Sequence, residues 1–121
     1  MEDKTFLVYE DETGVVEVRD EMVTKIAGLA ATSVDGVDSL YGNITAELIS
    51  KVGRKNLASG VEIVENERGV DVYVALVVEM GCSIQEVCTK VQQKIKSDIQ
   101  DMLGINVGEV NIRVASVKVE K

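Results

Sequence analysis

The chain has no histidine, no proline and no tryptophan, and aromatic residues make up 3% of it. The missing histidine removes the commonest general base, metal ligand and triad partner at once. With so few aromatics, the core has to be aliphatic, built from Val, Ile, Leu and Ala. No apolar run approaches the ~20 residues that span a bilayer. The opening residues, MEDKTF, are acidic where a signal peptide would be basic. Acidic residues outnumber basic ones, 21 to 13. The net charge is −8, and positions 1–21 hold eight acidic and two basic residues, so the acidity is concentrated at the N-terminus. This balance argues against binding to a nucleic-acid backbone and against charge-driven binding to anionic lipid. The two cysteines, Cys82 and Cys88, are six positions apart, which is not zinc-ligand spacing. With no secretory segment, a reduced, cytoplasmic chain is the simplest expectation.

What is present suffices for one domain. The chain has 121 residues, and 45% of them are apolar. Its organising stretch runs from Val70 to Leu103. Val70, Val72, Val74, Leu76 and Val78 alternate on one face, as in a β-strand. The opposite face has Asp71 and Glu79 at its ends but Tyr73, Ala75 and Val77 in its middle, a pattern that suits a central strand. A different period follows. Ile84, Val87, Cys88, Val91, Ile95, Ile99 and Met102 recur at helical steps. Ser83 and Glu86 have capping-box spacing, and Gly104 is placed to end the helix in a left-handed conformation.

Around this pair the chain predicts, in order, a strand at Gly14–Val18, a helix from Asp20 to about Ser33, and a strand at Val37–Tyr41. The helix carries a small-residue face containing Ala27, Gly28, Ala30 and Ala31. Gly28 costs up to ~1 kcal/mol against Ala in a helix interior, so close packing is its expected purpose. An irregular segment over residues 42–60 comes next. A hairpin follows, formed by Val61–Val64, a turn ending at Gly69, and the central strand. The last strand is Glu109–Val119, with a phase change near Ala115–Ser116 that signals a bulge. Residues 1–13 contain a short apolar run, Phe6–Tyr9. An edge strand or a docking segment fits it, but a partly ordered acidic tail is the expectation. The fold class is therefore α+β in two layers, a small mixed β-sheet with two main helices packed on one face. Residues 14–121 form a single domain.

Few residues carry candidate chemistry. Cys88 lies on the apolar stripe and is expected in the core. Cys82 precedes a helix N-terminus, where a thiolate is stabilised. Lys51, Arg54 and Lys55 cluster near Gly53 and Gly60. Six residues separate these glycines and Val61 follows, so this is no Walker loop. The three cations offer a contact for a carboxylate or phosphate of a partner. Glu10, Asp11, Glu12 and Glu17 lack the pattern of a calcium loop and are expected as a solvated acidic face. Lys90, Lys94 and Lys96 line the polar side of the long helix and could meet an acidic partner. No acid–base pair can be nominated, so no enzyme activity and no cofactor are expected.

Two stretches together resemble a known family. They are GVVEVRDEMVTKIAGLAATSVDGV, residues 14–37, and GVDVYVALVVEMGCSIQEVCTKVQQKIKSDIQDMLGINVGEVNIRVASV, residues 69–117. Their order and spacing resemble the alkaline shock protein family, general stress proteins of Gram-positive bacteria. The resemblance implies a small cytoplasmic α/β domain with no established catalytic residues. It also implies protein partners of two kinds. Some members are held at the membrane by a membrane-embedded anchor protein. Stand-alone members lie beside genes for acetyl-CoA carboxylase subunits, which implies modulation of fatty-acid synthesis. The short chain looks more like the stand-alone kind. The expected role is a self-associating, non-enzymatic interaction protein with Tyr73, Ala75 and Val77 as its contact face. A small-ligand or anion-binding module using Lys51, Arg54 and Lys55 is the alternative.

Overall fold

The computed structural model describes residues 5–41 and 60–119. Its longest-range organiser is a strand, Gly69–Glu79, at the centre of a mixed four-stranded sheet. In chain order this is β5. Its alternation sends Val70, Val72, Val74, Leu76 and Val78 into the core, each at most 3% exposed. Along one side of β5 runs β6, Val107–Lys118, in parallel. The other side is shared by two antiparallel strands placed end to end. β4, Val61–Asn66, pairs with Gly69–Val74, and β3, Val37–Leu40, pairs with Leu76–Val78. The handover falls on Ala75. Its N–H donates to the Gly60 carbonyl at 3.0 Å, and its carbonyl accepts the Tyr41 N–H at 2.8 Å. Among the described residues the sheet thus has four strands but a width of three.

Among the described residues, two helices cover the apolar face. α1, Asp20–Thr32, buries Val23, Ile26, Ala27, Ala30 and Ala31. α2, Ile84–Leu103, buries Val87, Val91, Ile95 and Ile99. They pack on each other, with α1 over β3 and β4 and α2 over β6. Gly28 has the close-packing role its position suggests, since a Cβ there would lie 3.2 Å from Leu40 Cδ1. α2 is also the crossover that parallel pairing of β5 and β6 requires. It ends at Gly104, with φ +70° and ψ 15°, as the sequence indicates.

The structure corrects three expectations. Ser83 does sit at the N-cap with an extended backbone, but its hydroxyl makes no cap bond. The capping box is therefore not formed, and the Ser83 carbonyl simply accepts the first helical N–H, from Val87, at 2.9 Å. Next, β6 begins at Val107 rather than Glu109. Val107 and Ile105 are buried and fasten the strand's start, and the register shift between Val107 and Val110 breaks the alternation that would have joined them. Finally, the acidic segment expected as a tail contains β1, Thr5–Asp11, which forms an antiparallel hairpin with β2, Gly14–Arg19. This two-stranded sheet stands apart from the main one. A lone hairpin is marginal in water, and here it is held by Phe6, 6% exposed in the core, and by α1, which follows β2 directly. The four-residue run Phe6–Tyr9 is too short to reveal a period. The bulge expected near Ala115–Ser116 is present, because the register steps from Leu76↔Val114 to Val77↔Ser116.

Candidate partner-docking face

Because β5 alternates, the residues that do not enter the core share the opposite face. Among the described residues no helix covers that face. Tyr73, Ala75 and Val77 form its central column, with Tyr73 exposed at 43% and the other two half-buried. Register places polar neighbours on both flanks. Glu62 and Asn111 pair with Tyr73, Arg113 with Ala75, and Ser39 and Ser116 with Val77. The result is a small apolar centre within a polar rim. The structure thus brings the three sequence-nominated residues together, and it adds a rim that no local sequence signal identifies.

Each end of the column is closed by polar contacts. At one end the Asp71 carboxylate accepts the Glu109 N–H at 2.9 Å and the Asn66 side-chain amide at 3.0 Å. The Asn66 side-chain oxygen in turn accepts the Arg68 N–H at 3.0 Å, and the Asn106 amide donates to the Arg68 carbonyl at 2.9 Å. This clasp joins the β4–β5 turn to the start of β6. The signal for it is the pair of glycines, Gly69 and Gly108, whose missing side chains let backbone and carboxylate approach. At the other end, Asp38, Glu79, Met80 and Lys118 line a cleft of about 200 Å³. Lys118 and Asp38 face each other there at 3.9 Å. Pockets for small molecules usually run from about 300 to 1,000 Å³, so this cleft is below that range.

The remaining candidates are dispersed. Lys51, Arg54 and Lys55 lie outside the described residues. Glu10, Asp11, Glu12 and Glu17 are exposed on the hairpin, and no group of three or more metal-ligating side chains occurs among the described residues. Lys90, Lys94 and Lys96 are exposed on α2, and Lys94 pairs with Asp98 at 3.4 Å. Both cysteines are free and half-buried, with Cys82, rather than Cys88, packed against the core cluster. Burial pushes the Cys88 thiol above its ordinary value, and the neighbouring Cys82 adds to the effect. A raised pKa means less thiolate, the reactive form, at any pH below it. In a Cys82→Ser background at pH 8, iodoacetamide should therefore alkylate Cys88 more slowly in the folded chain than in urea. Equal rates would show that its environment leaves the thiol unprotected.

The model of the alkaline shock protein 23 family, described as having a cell envelope-related function, matches residues 9–119. The chain belongs to this family. It is 31% identical over 121 residues to the uncharacterized protein YqhY of Bacillus subtilis (strain 168), covering 98% of this chain and 90% of that one. It is 28% identical over 108 residues to the uncharacterized protein YloU of the same strain, covering 88% of this chain and 90% of the relative. A stress response regulator gls24 homolog of Streptococcus pyogenes serotype M3 is 26% identical over 109 residues, spanning 89% of this chain and 61% of that protein. No solved structure matches the chain. The alkaline shock resemblance seen in the sequence is thus confirmed. The family match begins at residue 9, inside β1, and takes in the whole of β2 and the main sheet. No described helix is long and apolar enough to cross a membrane.

Proposed function

We propose that this alkaline shock family chain is a non-catalytic docking protein that self-associates and works by contact with other proteins in stress and envelope physiology. The observation that carries this reading is the open sheet face, with Tyr73, Ala75 and Val77 at its centre and nothing over it among the described residues. The exposed part of this apolar column, chiefly Tyr73, lowers its free energy when a protein surface covers it. The family description supports the envelope setting, and the relatives named as stress response regulators support a regulatory role. The partner is a protein, either an acetyl-CoA carboxylase subunit or a membrane-embedded anchor. The chain works from the cytoplasm and reaches the membrane through that partner.

An affinity pull-down from cytosolic and membrane fractions tests this, with wild type beside Val77→Asp. Wild type should enrich carboxylase subunits or a small membrane protein, and Val77→Asp should lose them while keeping its circular dichroism spectrum. Equal recovery by both would contradict the assignment of the face. The alternative, an anion-binding module at Lys51, Arg54 and Lys55, predicts instead a thermal shift with inorganic phosphate or acyl carriers. It also predicts that Arg54→Ala removes that shift.

A further inference from the structure

We infer that β6 is a second contact, through which two copies of this chain join as antiparallel strands about a two-fold axis at Asn111. The inference rests on the proposed self-association but uses a different surface, the edge of the sheet rather than its open face. β6 has twelve residues and is the longest strand among the described residues. β5 borders it on one side, and among the described residues no strand borders the other. Proteins usually blunt such an edge with proline, closely spaced charges or bulges. This chain has no proline, and the segment Val110–Val114 is regular in register, lying between the bulge near Gly108 and the one at Ala115.

The residues along this segment complement themselves. An antiparallel pairing of β6 with its own copy, centred on Asn111, sets Val110 opposite Ile112 within the regular segment and Glu109, at its bulged end, opposite Arg113. Symmetry repeats both pairings. Glu109, Asn111 and Arg113 lie on the open-face side, as shown by pairing of Asn111 with Tyr73 and of Arg113 with Ala75, and by the 3.4 Å contact from the Asn111 amide to the Glu109 carboxylate. Arg113 is exposed and makes no salt bridge among the described residues. On the core side, Ile112 and Val114 are only partly buried against the cluster, and a second β6 would cover them. Opposite charges and aliphatic pairs directly across two strands are both stabilising. β4 lacks this property, because its charges are Glu62 and Glu65 alone and self-pairing would oppose like charges. The Val110 carbonyl already accepts the Gln92 side-chain amide at 2.9 Å, and since a carbonyl oxygen has two lone pairs this bond does not by itself exclude a strand partner.

Charge reversal tests the pairing by sedimentation velocity over a range of concentrations, in a Val77→Asp background that removes the open-face contact. Val77→Asp should remain a dimer. Adding Arg113→Glu should raise the dimer dissociation constant about tenfold or more, since each reversal counts twice across the axis. Adding Glu109→Arg as well should restore the dimer. Asn111→Cys, in a chain with Cys82→Ser and Cys88→Ser, should become a disulfide-linked dimer with copper–phenanthroline, because cross-strand Cα atoms at the axis fall within disulfide range. If Val77→Asp is itself a monomer, or if Arg113→Glu dimerises like its parent and Asn111→Cys stays unlinked, the edge contact is overturned; self-association through the face is judged separately, by whether wild type forms a larger assembly than Val77→Asp. A wild-type chain that is monomeric at every concentration overturns both.

Discussion

Replacing Gly69 with alanine should destabilise this protein by about 3 kcal/mol or more, the sum of a disfavoured backbone and a hard clash. Gly69 closes the β4–β5 turn with φ +147°, a conformation that residues with a side chain rarely adopt. A Cβ at this position would run into the backbone carbonyl of Asn106, with the Asn106 carbonyl carbon at 2.8 Å. That carbonyl cannot step aside freely, because it accepts the Val70 N–H at 2.9 Å and leads into β6. For a chain of this size the loss corresponds to a melting temperature lower by roughly 10 °C. Thermal denaturation followed by circular dichroism checks it. A fall of only a degree or two would mean that the loop before β6 relaxes at little cost.

The second large effect lies in the core. Leu76→Ala should cost about 3–4 kcal/mol, near the middle of the range for emptied leucine sites. Leu76 is fully buried, and it is among the largest of the completely enclosed side chains. Among the described residues its strand is the only one bordered by three others, β3, β4 and β6. Collapse around the cavity is therefore restrained on both edges. Urea denaturation should show a lower midpoint with the slope unchanged. A midpoint within error of wild type would mean that the α1 and α2 side chains repack into the space.

Where two physical signals agree along the chain, the structure follows the sequence. β5 and α2 are readable because period, length and boundary residues all point one way, and Gly104 ends α2 where a left-handed residue is needed. The phase change at Ala115 is readable because one extra residue in a strand exchanges its two faces. β1 is hidden, since its apolar run is short and its partner strand reads equally well as a piece of the main sheet. The missing Ser83 cap bond is hidden for another reason, because spacing permits a capping box without fixing a hydroxyl rotamer. Of the candidate face, the Tyr73, Ala75 and Val77 column is readable from alternation in one strand. The flanking Arg113, Asn111 and Glu62 are not, because a rim depends on register between strands distant in sequence. The shared edge of β3 and β4 is equally invisible, since it rests on Ala75 bonding to Tyr41 on one side and Gly60 on the other.

Sedimentation velocity of wild type beside Val77→Asp tests the central claim, that the open sheet face is a surface for assembly. Val77 is half-buried on that face between Ser39 and Ser116, so a carboxylate there keeps polar neighbours and water in the monomer but loses both under an apolar contact. Wild type should sediment as an assembly larger than Val77→Asp at equal concentration, with superimposable circular dichroism spectra. A folded Val77→Asp that assembles like wild type would contradict the claim.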